Sequence, residues 1–372
     1  MSPSERLRPF RWAISCLALL ASACSSGPGD PVVWTRKAWQ NAAASILRPG
    51  PGPVTADVAS VERRGDNWVL SVFEGPTGRL LASRDVATPA SRWSLPKVHA
   101  LAPGTAAFWF AGEERRPTYW RWNMGSDRLE ESSFSQSLVD GSIWDLVAIP
   151  GTGEVLLGVL KGGALRLYAQ EGDGPGVVEL EAFEDVVGLR ALYLEAVSCE
   201  VTEGGGRWQL NLHAYSKDGY VAALAEIERS AAGWESAAVP DDPHEGPRFA
   251  SMDGAIQESV AIVPYQIQPG ELRGRDVEAF RLAGGVSEWP CFGGVCVPLY
   301  RGEMRSGDQV AGEVEMVSLP SLETKLVIPT SQGYPDITVV HVGYVGEEPG
   351  GILYWTCVEG KLAVRRASSL HD

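Results

Sequence analysis

The chain divides its apolar residues into short runs, and that division is what most narrows its fold. Four runs follow one another from Asp145 to Ile149, Glu154 to Leu160, Ala164 to Ala169 and Val177 to Phe183. The first three links contain Pro-Gly-Thr-Gly, Lys-Gly-Gly and Gly-Asp-Gly-Pro-Gly. Short runs rich in Val, Leu and Ile between Gly and Pro are strands, and links this short join antiparallel neighbours. No stretch keeps apolar residues at three-four spacing for the roughly twelve residues a helix needs. Lys37 to Leu47 comes closest. The chain therefore reads as all-β.

A four-strand meander complete in about 40 residues has the size of one β-propeller blade. With 42 Gly and 25 Pro among 372 residues, the same unit extends along the chain. Units are expected at Val54–Leu95, Thr105–Ser137, Asp145–Phe183, Leu189–Val239, Phe249–Trp289 and Val295–Ile328. A last unit beginning at Ile337 has only three runs, and Val32–Lys37 could supply its fourth strand. Such borrowing closes a ring and removes two exposed sheet edges. The expected architecture is a single propeller of six to eight blades, with seven preferred. The alternative is a pair of β-sandwich domains, but no linker divides the chain. The units carry none of the WD40 or quinoprotein blade marks.

The first thirty residues address the protein. Arg6, Arg8 and Arg11 precede an apolar stretch from Trp12 to Ala23. As a helix it would rise only about 18 Å, short of the ~30 Å hydrocarbon core, so it reads as an export signal. Leu20-Ala21-Ser22-Ala23-Cys24 resembles the lipobox of bacterial lipoproteins, departing from it at Ala21. The resemblance implies cleavage before Cys24 and its acylation with chains such as palmitate. Ser25 resembles the sorting pattern for the outer membrane of Gram-negative cells. The alternative is ordinary cleavage with Cys24 unmodified. The expected organisation is a signal peptide at 1–23, a lipidated tether at 24–31 and a propeller at 32–372.

Net charge is −15, and losing three Arg and one Glu with residues 1–23 takes it to −17. Neither nucleic acid nor an anionic lipid surface is thereby expected as a partner of the protein surface, because their phosphates demand basic patches. The acyl chains are expected to hold the protein at its membrane. In an oxidising compartment, Cys291 and Cys296 across a Gly-Gly turn read as a local disulfide. Cys199 and Cys357 read as buried thiols on separate units. HExxH, GxSxG and P-loop sequences are absent, and no catalytic residue stands out. Tyr119-Trp-Arg-Trp122 offers an aromatic pair, Trp120 and Trp122, whose expected place is between sheets.

Asp140, Asp185 and Asp336 precede the first strands of units, and Asp57 lies within Val54-Thr-Ala-Asp-Val. If first strands line a channel, these carboxylates could ring its mouth and hold Ca²⁺. The plainer reading is that Asp before a strand is a turn residue. The function expected is a non-enzymatic binding or assembly scaffold at the cell envelope, with an envelope protein or glycan as partner. The alternatives are a propeller hydrolase or lactonase with a metal in its channel, and a glycan-binding lipoprotein.

Overall fold

The computed structural model describes residues 30–368, apart from 40–41, 50–52, 90–94, 112–115, 162–163, 170–176, 182–188, 203–204, 217–218, 237–279, 283–294, 302–303, 306–307, 310–312, 320–322, 330–340, 350 and 359. Its strands run β1 (Val32–Lys37), β2 (Ala43–Leu47), β3 (Ala56–Arg64), β4 (Asn67–Phe73), β5 (Leu80–Ala87), β6 (Leu95–Ala102), β7 (Thr105–Ala111), β8 (Thr118–Asn123) and β9 (Arg128–Ser133). They continue as β10 (Ile143–Ile149), β11 (Glu154–Lys161), β12 (Ala164–Ala169), β13 (Val177–Glu181), β14 (Leu189–Thr202), β15 (Gly205–Ser216), β16 (Gly219–Ser230) and β17 (Gly233–Ser236). The remainder are β18 (Phe280–Leu282), β19 (Val295–Arg301), β20 (Met304–Arg305), β21 (Asp308–Gln309), β22 (Glu313–Leu319), β23 (Thr324–Pro329), β24 (His341–Glu348), β25 (Gly351–Val358) and β26 (Lys361–Ser368).

These strands form six four-stranded antiparallel sheets among the described residues. Sheets 1 to 4 are the meanders β2–β5, β6–β9, β10–β13 and β14–β17. Sheet 5 is β18-β19-β22-β23, with β20 and β21 as a small hairpin inserted between its middle strands. Sheet 6 runs β24-β25-β26 and is completed by β1 from the other end of the chain. The fold is an all-β propeller, and the closure expected of Val32–Lys37 is present. β1 pairs antiparallel with β26, Trp34 opposite Val364 and Lys37 opposite Lys361.

Why the strand runs are so continuously apolar follows from the packing. Among the described residues sheets 1, 2, 3 and 6 are packed on both faces, and β7 of sheet 2 is buried at all seven positions. A strand covered on both faces needs no polar alternation. Trp68, Leu70, Phe108, Phe110, Trp120 and Trp122 fill the space between sheets 1 and 2. Trp109, Tyr119, Trp144 and Leu157 fill that between sheets 2 and 3. Leu156, Leu165, Leu194, Trp208 and Leu210 join sheets 3 and 4. Met316, Ile328 and Tyr354 join sheets 5 and 6, and Trp34, Phe73, Leu353 and Val364 join sheets 6 and 1. The Trp120–Trp122 pair is therefore interior, as its strand position predicted.

Close approach between sheets has a cost in side-chain size. A Cβ on Gly158 of β11 would stand 2.2 Å from Leu194 Cδ1 of the next sheet, so only glycine lets Leu194 seat there.

Several expected boundaries move. Sheet 1 begins at Ala43, not Val54, because Ala43–Leu47 is a short strand. Its buried Ala43 and Ile46 lie three residues apart, which is why the segment mimicked a helix. Sheet 2 begins at Leu95 rather than Thr105; Pro96 had obscured that strand. Phe280–Leu282 pairs with Val295–Arg301, so it opens sheet 5 instead of closing a separate unit. The rest of the expected unit Phe249–Trp289 lies outside the described residues.

The folded part also reaches slightly into the expected tether. Tyr354 donates its hydroxyl to Asp30 Oδ2 at 2.7 Å, Arg365 Nη1 donates to Asp30 O at 3.0 Å, and Arg366 N donates to Pro31 O at 3.0 Å. Burial first, then this bond to Asp30, raises the Tyr354 hydroxyl far above its ordinary value.

Candidate functional site

The most concentrated polar chemistry in the described interior lies where β6, β10 and β14 converge. These are the first strands of sheets 2, 3 and 4. Asp145 sits in the middle of the apolar strand Ile143–Ile149 and is fully buried, with relative exposure of 0%. A carboxylate there must be both paired and hydrogen-bonded. Lys97, 3% exposed, supplies the charge: its Nζ donates to Asp145 Oδ2. The remaining acceptor positions are also taken. Leu194 N donates to Oδ2 and Leu146 N to Oδ1, each at 2.8 Å, while Trp109 Nε1 reaches Oδ1 at 3.4 Å.

The ammonium is equally enclosed. Lys97 Nζ donates to Leu194 O at 3.1 Å and lies 3.5 Å from the centroid of the Tyr193 ring. A desolvated cation over an aromatic face gains up to about 2 kcal/mol. The Trp109 ring lies 5.8 Å from Nζ and stacks on His99 at 4.9 Å between centroids and 17° between planes. Burial pushes the Asp145 carboxyl above the ordinary range; the Lys97 ammonium and the two backbone N–H groups pull it back. Each charge is matched inside the protein. Chemically, the cluster acts as a rivet: it fixes the registration of three consecutive sheets.

A second cluster lies where sheets 1 and 6 meet. Asp57, buried in β3, accepts from Arg48 Nε at 2.9 Å, from Arg48 Nη2 at 2.5 Å and from Gly75 N at 3.3 Å, all on Oδ1. Its Oδ2 is buried without a hydrogen-bond partner. Arg48 Nη2 also reaches Glu74 Oε1 at 3.3 Å. Arg79 Nε and Thr77 Oγ1 donate to Glu74 Oε2 at 3.2 and 2.6 Å. These bonds hold the Glu74 carboxyl at about 2, below its usual 4.5. The turn they shape receives the closing strand. Trp34 Nε1 donates to Gly75 O at 2.6 Å, and Arg36 Nη2 donates to Gly78 O at 2.7 Å. Gly78 has φ +69°, and a Cβ there would press 2.8 Å from the Trp34 ring.

The acidic residues singled out in the sequence occupy different settings. Asp57 lies in the second strand of sheet 1, because Ala43–Leu47 is the first, and it is engaged by Arg48. Asp140 is exposed in the turn before β10 and accepts from Gln136 Nε2 at 3.3 Å. Asp185 and Asp336 lie outside the described residues. Among the described residues, no group of three or more His, Cys, Asp or Glu side chains could hold a metal ion.

Cys24 and Cys291 lie outside the described residues; Cys296 is buried in β19 and packs at the junction of sheets 5 and 6. Cys357 is buried in β25, its Sγ 3.3 Å from Trp39 O as donor. The Lys97–Asp145 pair was missed by the sequence reading. Its signal was available: a lone carboxylate inside an otherwise apolar strand requires a buried partner.

The sequence matches no protein-family model and none of the curated proteins. Among solved structures, it is similar to a mutant of the Aleuria aurantia lectin in complex with α-methyl-L-fucoside, at 10% identity over 91% of this chain and 97% of that one, with a TM-score of 0.36. The Nup133 β-propeller domain of Vanderwaltozyma polyspora is 10% identical over 87% and 93% of the two chains, with a TM-score of 0.24. The NanB sialidase of Streptococcus pneumoniae is 9% identical over 92% of this chain and 56% of that one, at 0.25. Likenesses this distant carry no ligand or activity across to this chain.

Proposed function

We propose that the chain is a lipid-anchored propeller of the bacterial cell envelope, sorted to the outer membrane in a Gram-negative cell, and acting as a non-enzymatic binding or assembly scaffold. The observation that carries this reading is the place where the chain's start meets the ring. Only six residue steps separate Cys24 from Asp30, whose side chain and carbonyl are fastened to sheet 6. The next residues become the outer strand that completes that sheet. An acylated Cys24 would thus hold the whole propeller, not a loosely linked domain.

The buried pair Lys97–Asp145 supports the same reading, because it stiffens three adjoining sheets with charges matched to each other. A ring built this way offers its rims as fixed surfaces for a partner. Chemical crosslinking in the native membrane, followed by purification under denaturing conditions, tests the proposal. A defined envelope protein joined to the propeller is expected. A chain that crosslinks to no other protein in its own membrane contradicts it.

A further inference from the structure

The described residues expose five large hydrophobic side chains: Val32 at 47%, Val33 at 40%, Val54 at 37%, Leu80 at 52% and Leu95 at 52%. Four of them gather at one end of sheets 6 and 1. Val32 opens β1 opposite Arg365, close to the end of β26, and Ser368 at that end faces Gly351 beside the β24–β25 turn. Val54 lies beside the same end of β24, because Tyr344 donates to Val54 O at 2.8 Å and Thr55 bridges to Gly346. Leu80 follows the turn that grips Trp34 and pairs with Phe73 at the end of β4.

Leu95 belongs to the opposite end. Gly104 N donates to Leu47 O at 2.6 Å, which brings the β6–β7 turn to the Val54 end and leaves Leu95, at the start of β6, far from it. The apolar side chains are therefore concentrated rather than scattered.

The charges beside them are already balanced. Asp57 faces Arg48, Glu74 faces Arg79 and Arg48, and Glu348 is paired with Arg366 at 2.6 Å. In a chain whose net charge is −17 once residues 1–23 are removed, this end can approach an anionic surface without the repulsion expected of the whole. The same end receives the chain from Cys24, and six residue steps span at most about 22 Å when fully extended.

We infer that this end of sheets 6 and 1, carrying Val32, Val33, Val54 and Leu80, rests on the phospholipid leaflet that holds the acylated Cys24. This orientation rests on the lipid-anchor reading above. It leaves the opposite end of the propeller, with Leu95, facing away from the membrane and open to partners.

A photoreactive amino acid placed at position 33, 80 or 95 of the full chain, irradiated in its native membrane, reads the orientation directly. Masses of the purified products report adducts, and the N-terminal peptide of the same sample reports Cys24 acylation. Phospholipid adducts at 33 and 80, and none at 95, are the expected result. Acylated Cys24 with no lipid adducts at 33 and 80, or with equal adducts at 95, overturns the orientation while leaving the anchor standing. Adducts at 33 and 80 to a second copy or another protein overturn it in favour of a protein interface. An unmodified Cys24 overturns the anchor itself, and the orientation with it.

Discussion

Removing the Lys97 ammonium would leave Asp145 buried and facing only neutral N–H donors. Breaking a buried pair from one side costs about 3–5 kcal/mol, so Lys97→Met should lower thermal stability by that amount. The loss should depend on pH in a defined sense. Asp145 has its folded value raised by burial, and without Lys97 it rises further, so the folded variant binds the proton more tightly than the unfolded chain. Its stability is then greatest below the unfolded value of about 3.9 and falls as pH rises through the folded one. Both proteins lose this contribution as pH rises above the unfolded value. Melting curves of wild type and Lys97→Met should diverge once pH passes the raised folded value of Asp145 in the wild type. Parallel curves would show that Asp145 is not the group left behind. Gly158→Ala tests the neighbouring contact: its Cβ would overlap Leu194 Cδ1, and overpacking of this kind costs about 1–3 kcal/mol.

At the scale of the element, the closing strand matters most. Trp34 is buried against Phe73, and its indole N–H is held by Gly75 O. Trp34→Ala should cost about 3–5 kcal/mol and should first expose the seam between sheets 6 and 1 to protease. Cleavage appearing first between sheets 2 and 3 would contradict that role. The Glu74 turn beneath Trp34 should weaken in acid. Its carboxyl is held at about 2 against an ordinary 4.5, so its contribution is complete above 4.5 and disappears as pH falls toward 2. Glu74→Gln should therefore show a smaller acid loss than wild type when melting temperature is followed across that window.

These elements also show how much was legible in advance. Sheets 3 and 4 were readable because glycine-rich links separate their strands, and the closing role of Val32–Lys37 followed from a last unit one strand short. Ala43–Leu47 was hidden because its buried residues fall at helical spacing. Pairing across sheets leaves half a trace: Asp145 inside an apolar strand calls for a buried partner, but nothing local points to Lys97, 48 residues away.

For the whole molecule, the proposal joins the propeller to a short tether. Lengthening that tether tests the union without touching the fold. Inserting about twenty Gly/Ser residues between Cys24 and Asp30 adds a coil whose mean span is about 25 Å. The chain should keep its proposed membrane attachment while lipid adducts at positions 33 and 80 decline, because the apolar end is no longer confined to the leaflet. Unchanged adducts would mean that the apolar end holds the membrane by itself.

The most direct test is the mass of the N-terminal peptide of the protein extracted from its native membrane. A peptide that begins at Cys24 and carries acyl chains is the predicted result. A peptide that begins elsewhere, or that begins at an unmodified Cys24, would contradict the lipid-anchored scaffold.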